Sequence, residues 1–287
     1  MPAQNHVENP FEYVIERISM AATDIRRAWT TPAQRHSAAA PDIGRIGMAQ
    51  IRAALREGLH DLGVSRTDVV FIALVYPIAG LVLARLAFSL NFLLLVFPLI
   101  SGFAILGPLA AVGLYAVSRR IEAGEEVSWS TPFEVLHSPA VSSILGLGAI
   151  LGLIFLAWLG VAWGIYAATL GPEPPQSLSA FVESVFTTGA GWTMIIAGMA
   201  VGAVFAAVTF VISVVSFPLL LDRDVGVTTA VRTSLRAVAK NPGAMLAWGL
   251  IVAVSLALGS LPALAGLIFV VPWLGHSSWH LYRKLVD

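Results

Sequence analysis

The sequence predicts an all-α polytopic membrane protein, and three observations predict it. Apolar residues make up 57% of the 287 and charged residues only 12%, against about 45–50% and 25% in ordinary soluble domains. Uncharged apolar runs recur at the roughly 20-residue length that carries a helix across a bilayer core. The charges are segregated, crowding the first 68 residues and a few short loops although the formal net charge is zero.

Residues 1–41 read as a cytoplasmic N-terminal segment, and residues 42–287 as one six-helix membrane domain. The start, "MPAQNHVENPFEYVIERISM", lacks the apolar stretch and small-residue site of a cleavable signal, so insertion is expected to rely on internal segments. From Asn9 to Trp29 the pattern is that of an amphipathic helix. Asn9 can cap, Pro10 sits in the first turn, Glu12 and Glu16 come early, Arg26 and Arg27 come late, and Phe11, Val14, Ile15, Ile18 and Ile25 form an apolar stripe. Thr30 to Pro41 reads as a linker.

Four apolar stretches follow as spans: Val69 to Phe88, Phe92 to Ser118, Ile144 to Leu170 and Trp192 to Leu221. Ala244 to Tyr282 is too long for one crossing, and "GSLP" at Gly259 to Pro262 divides it into two short helices joined by a turn. The basic residues test this division. All 17 except Arg85 fall before Val69, just after the second span, between the fourth and fifth, or after the sixth, whereas the turn at Asn91, the loop Gly171 to Gly191 and the turn at Gly259 carry none. The positive-inside rule then places both termini in the cytoplasm and requires an even number of helices, which six satisfies and five does not.

The stretch "GLYAVSRRIEAGEEVSW" shows how a span ends. Tyr115 suits the cytoplasmic interface, Arg119 and Arg120 prefer headgroups and water, and the acidic run and Trp129 follow on the surface.

An internal repeat underlies the spans. "MAQIRAALREGLHDLGVSRTD", "VSWSTPFEVLHSPA" and "VTTAVRTSLRAVAKNPGAM" each read as a short amphipathic elbow helix, broken by Gly or Pro, ahead of a hairpin. Pro108, Tyr115, Arg119 and Arg120 correspond to Pro272, Trp279, Arg283 and Lys284, with Pro218 as a truncated middle copy. The expected repeats are 45–125, 126–225 and 226–287. In the third elbow Arg232, Arg236 and Lys240 form an i, i+4, i+8 stripe beside an apolar face of Val231, Leu235 and Val238, a pattern suited to an anionic membrane surface.

Candidate chemistry is sparse. Arg85 lies three residues from the end of the first span, where it either snorkels to the outer interface or lines a binding or gating path. No Asp or Glu falls within a span, which argues against proton-coupled mechanisms. His276 and His280 stand four apart near the end of the sixth span, and read either as an interfacial pair packing with Trp279 and headgroups or as metal or haem ligands. The other histidines look like surface residues. Gly148 and Gly152, Gly160 and Gly164, and Gly198 and Gly202 have the small-residue spacing that lets helices approach, in packing first and in dimerisation or a substrate path second. Glu122, Glu125 and Glu126 read first as a solvated loop and second as a partner or divalent-ion contact. No nucleotide loop, GxSxG elbow or zincin motif is present, and the absence of cysteine removes disulfides and thiolate chemistry.

"FPLISGFAILGPLAAVGLYAVSRRIEAGEEVSW" and "SFPLLLDRDVGVTTAVRTSLRAVAKNP" resemble a bacterial family of predicted integral membrane proteins, domain of unknown function 2189 (DUF2189). The likeness extends from Arg45 to Lys284. It implies a multi-helix inner-membrane protein and supplies no catalytic residues. An oxidase-subunit label attached to some members implies haem, but a haem-copper core needs several histidines at membrane depth, and only His276 and His280 come near it.

These readings lead to the expectation of a non-enzymatic accessory, assembly or scaffolding component of the inner membrane. The alternatives are a carrier or channel for a lipid or small uncharged solute, with Tyr76, Pro77 or Arg85 on its path, and, last, a haem-bearing subunit. Expected partners are membrane lipids and a membrane protein or second copy; no cofactor and no nucleic acid is expected.

Overall fold

The computed structural model describes residues 41–65, 96–128, 130–173, 175, 177–262 and 265–286. The helix expected at Asn9 to Trp29, the first span with Tyr76, Pro77 and Arg85, the turn at Asn91, and Trp129 lie outside them. The described residues are helical; their one β-type contact is an antiparallel bridge between Ile43 and Val286.

In chain order the helices are α1 (Met48–Val64), α2 (Val96–Ala110), α3 (Val112–Glu122), a 3-10 helix (Thr131–His137), α4 (Val141–Thr169), α5 (Leu178–Thr187), α6 (Gly189–Ser213), α7 (Ser216–Asp222), α8 (Val227–Lys240), α9 (Pro242–Ser260) and α10 (Leu267–Leu285). Local chemistry explains several boundaries. Ser177 caps α5 by accepting from Ala180 N–H at 3.1 Å, and Thr188 caps α6 by accepting from Gly191 N–H at 3.0 Å. Pro242 opens α9 at a position where its missing N–H costs nothing.

Among the described residues, four helical stretches are long and apolar enough to cross a membrane: Ala104–Glu122, Val141–Thr169, Gly189–Asp222 and Pro242–Ser260. The expected third to fifth spans are among them, and the second survives in part, as α2 and α3 with a break at Ala111. The pair of helices meeting near Gly259 is present as α9 and α10, and Gly259 packs against Gly266 across the turn. The expected sixth span is a 19-residue helix but not a uniformly apolar one, because Trp273 to Lys284 carries His276, Ser277, Ser278, His280, Arg283 and Lys284. The loop Gly171 to Gly191 is not plain loop; it contains α5.

The core is concentrated at the charged end of the helices. Leu114, Phe217, Leu220, Trp248, Trp279 and Tyr282 are buried there. Farther along, the helices expose apolar side chains: Leu153 (68%) on α4, Ile196 (67%) on α6, and Leu246, Leu250, Val254 and Leu258 at four-residue intervals on α9. Such faces suit hydrocarbon, and in lipid the helix satisfies its own backbone. Trp158 ties three helices at mid-length: its ring N–H donates to the Pro98 carbonyl at 3.0 Å, and its ring packs on Phe205 at 5.6 Å.

Two of the six glycines singled out for close packing meet neighbours. A Cβ on Gly148 would stand 2.8 Å from Leu109, and one on Gly202 would stand 3.2 Å from Trp158, whereas Gly152, Gly160, Gly164 and Gly198 face open space. Two tighter approaches lie elsewhere. A Cβ on Gly58 would come within 2.5 Å of the Ser277 backbone nitrogen, and one on Gly275 within 2.4 Å of Leu114. Those two glycines let α1, α3 and α10 come together.

Candidate functional site

α1 lies antiparallel along α10. Ile43 bridges Val286, Gly44 N–H donates to the Leu285 carbonyl at 2.7 Å, Gly58 abuts Ser277, and the Trp273 ring N–H donates to the Leu55 carbonyl at 3.0 Å. The stripe that α1 buries is Ile51, Ala54, Gly58 and Asp61. Its last member places a carboxylate between two membrane-domain helices.

Asp61, 3% exposed, is the centre of a buried polar cluster. Its Oδ2 accepts from the Ser118 hydroxyl at 2.6 Å and meets His280 Nε2 at 2.7 Å. Ser118 Oγ also meets His276 Nδ1 at 2.7 Å. Because the single hydroxyl proton goes to the carboxylate, Ser118 accepts from His276, whose Nδ1 therefore carries a proton. Ser118 and His276 are both 0% exposed. At the edge, His280 Nδ1 faces Glu57 at 3.4 Å, and Lys284 Nζ bonds the same carboxylate at 2.6 and 2.8 Å.

Burial by itself raises the Asp61 pKa, but the hydrogen bonds from His280 and Ser118, with the two imidazoles nearby, outweigh it and hold the carboxyl below its ordinary 3.8. The ionised form is the one this cluster is built around.

A second polar layer joins the ends of α3, α7 and α10. Glu122 accepts from the Trp279 ring N–H at 2.9 Å and from Arg283 at 3.0 Å, and the Tyr282 hydroxyl donates to Asp222 at 2.6 Å. Arg119 donates to the Leu221 carbonyl at 2.6 Å, neutralising the C-terminal end of α7. Arg120 bonds Glu134 of the 3-10 helix at 2.8 Å.

These positions revise several sequence expectations. Tyr115 is buried in the core, not an interfacial ring. Arg119 and Arg120 are tied to protein groups as well as facing the surface. His276 and His280 pack between helices, because α1 and α3 supply the polar partners that headgroups were expected to supply. Glu122, Glu125 and Glu126 are all exposed, but Glu122 also joins the inter-helix layer. Arg232, Arg236 and Lys240 do form an exposed stripe on α8, and Leu235 is exposed within it. Lys240 also donates to the Ile43 carbonyl.

Sequence reasoning missed Asp61, Ser118 and Glu57. The signal for Asp61 was present: it continues the spacing Ile51, Ala54, Gly58 along one helix face. A carboxylate on an otherwise apolar stripe needs a partner. Ser118 carried no such mark, since serine in a helix commonly bonds its own backbone.

The cluster contains a serine, a histidine and an aspartate, but their order is wrong for nucleophilic catalysis. A catalytic triad passes the serine proton to histidine, which the carboxylate orients from its other side. Here the carboxylate takes the serine proton directly and histidine donates to serine. The residues also do not fit a haem or metal: each histidine commits a ring nitrogen to a side chain of another helix, and among the described residues no three His, Asp or Glu converge as ligands.

Residues 96–222, from α2 through α7, match the family described as Predicted integral membrane protein (DUF2189). This match is narrower than the likeness read from Arg45 to Lys284. No curated protein and no solved structure matches the chain.

Proposed function

We propose that this integral membrane protein, whose central stretch is that of the DUF2189 family, is a non-enzymatic accessory or scaffolding component of the bacterial inner membrane. The observation that carries this reading is the closure of the Asp61–Ser118–His276 cluster. Its serine and histidine have no exposed surface, so the groups suited to chemistry are spent on locking α1 to α3 and α10. Buried polar networks with every member satisfied specify one arrangement of helices.

The fuller form of the proposal is six spans, both termini cytoplasmic, in three elbow-plus-hairpin repeats. One sequence correspondence supports it. Arg52, Leu55, Arg56, His60, Asp61 and Gly63 of α1 align with Arg232, Leu235, Arg236, Lys240, Asn241 and Gly243 at a constant offset. In both copies the three basic residues are exposed, and the residue after them, Asp61 or Asn241, is buried and bonded to another part of the chain. Arg52, Arg56 and His60 would be costly in hydrocarbon, so this end of the bundle belongs in headgroups and water.

Affinity capture of the full chain from its own gently solubilised membranes, compared with a chain lacking residues 1–41, tests the function. A stoichiometric membrane-protein partner, lost on truncation while insertion persists, is expected; undiminished association would count against the scaffold reading. A lipid-carrier reading has one observation in its favour, an apolar groove of about 500 Å³ beside Leu59, Leu62, Ile268 and Phe269. Lipid flux in reconstituted vesicles would move the assignment to it.

A further inference from the structure

A cleft of about 160 Å³ opens where the end of α3, the 3-10 helix and the end of α7 meet, lined by Arg119, Arg120, Glu134, Val135, Ser138 and Leu221 among others. We propose that it binds a phosphate-bearing anion, with the headgroup phosphate of an anionic phospholipid as its source.

Charge is the first argument. Arg120 is paired with Glu134 at 2.8 Å and lies 3.6 Å from Glu125. Arg119 instead has the Leu221 carbonyl as its partner, and no described carboxylate lies within ion-pair distance of it. Both nearby carboxylates therefore face Arg120, and Arg119 is the cation of the lining that meets none. A guanidinium has five N–H donors in a planar fork that fits a phosphate, and the Leu221 carbonyl occupies one of its nitrogens.

Hydrogen bonding is the second. Ser138 Oγ accepts from the Ala140 N–H at 3.1 Å, which leaves its own O–H to donate into the cleft. Arg119 and Ser138 thus line the cleft with donors from two elements. The cleft volume is several times the ~30 Å³ share of a water molecule in the liquid, enough for a tetrahedral oxyanion.

Location is the third. Phe133 and Leu136 of the 3-10 helix expose their side chains beside the cleft. A short helix with exposed apolar residues on either side of Glu134 suits the membrane interface, where phosphates lie. Basic pockets at this level between helices are suited to acidic headgroups. The proposal stands apart from the scaffold reading, since any resident of this interface can carry such a site.

The test uses the full chain in phosphatidylcholine nanodiscs doped with phosphatidylglycerol, with retained lipids counted by native mass spectrometry on release into detergent. Wild type is expected to retain phosphatidylglycerol preferentially. Arg119→Gln should weaken that retention about tenfold, the scale of one charge-assisted hydrogen bond, and Ser138→Ala should weaken it in the same direction. Arg45→Gln, a charge-matched change at an exposed position ahead of α1, should retain it as wild type does. Because Arg119 also holds the end of α7, Ser138→Ala is the variant that separates binding from folding. A second arm adds inorganic phosphate in detergent: a rise in unfolding temperature that Ser138→Ala abolishes, without any phosphatidylglycerol preference, assigns the same phosphate chemistry to a free anion. Unchanged retention and unchanged phosphate response in Ser138→Ala overturn the proposal, as does an equal loss in Arg45→Gln.

Discussion

Asp61 and His280 stand 219 residues apart in the chain and 2.7 Å apart in space. Their contact joins the first described helix to the last, and Ser118 on α3 makes it a three-helix junction. Glu57 and Lys284, a further turn toward the chain end, continue the same seam.

Removing the carboxylate should be costly. Asp61→Ala leaves the Ser118 hydroxyl and the His280 ring in a buried site without their acceptor, a change expected to destabilise by about 3–5 kcal/mol. Thermal unfolding in a fixed detergent measures it. Ser118→Ala and His276→Ala should be non-additive, with a coupling of about 1 kcal/mol, because each removes one end of the same hydrogen bond.

The pH dependence has a definite sign. Asp61 has a folded pKa below its ordinary 3.8, so the unfolded chain binds its proton more readily. Its contribution to stability is fully present above that value and is lost as pH falls through the folded pKa. The titratable groups around it are His276, His280, His60, Glu57 and Lys284. Comparing unfolding temperatures of wild type and Asp61→Asn across acid pH isolates the Asp61 part: wild type should lose its advantage only below about pH 4.

Packing of α1 on α10 depends on Gly58. A methyl group there would meet backbone atoms of Ser277, which cannot rotate away. Gly58→Ala should therefore destabilise by about 1–3 kcal/mol. Gly160→Ala, facing open space on α4, should be neutral within about 0.5 kcal/mol. Equal losses at both sites would show that α4 uses its glycine face for a contact outside this chain.

Asn241 clamps the segment ahead of α1. Its Oδ1 accepts from the Ile46 N–H at 2.9 Å and its amide donates to the Gly44 and Ala237 carbonyls, both at 3.1 Å. Asn241→Ala should speed hydrogen exchange at the Ile46 amide by about tenfold, the equivalent of one hydrogen bond lost. The Gly44 amide, bonded to Leu285 instead, should change less.

The architecture was partly legible because lipid imposes a strong rule on sequence. α4, α6 and α9 follow from uninterrupted apolar runs, and Gly259 to Pro262 marked the turn before α10. The candidate site was half legible. His276 and His280 stand out by type and spacing, yet their own helix points them to headgroups because no acidic residue shares it. The acid comes from Asp61 on α1, and periodicity within one helix carries no information about its partner in another.

Sequence by itself therefore determined the helical class, the apolar faces and the crowding of charge at one end, since each follows from the local cost of placing a residue in hydrocarbon or water. Only the tertiary structure decided that Tyr115 is core, that Glu122 and Arg283 meet, and that Asp61, Ser118 and His276 form one sealed cluster. Those outcomes depend on which helix faces approach, and that is set by shape at positions such as Gly58 and Gly275, where the missing side chain matters only once its neighbour is known.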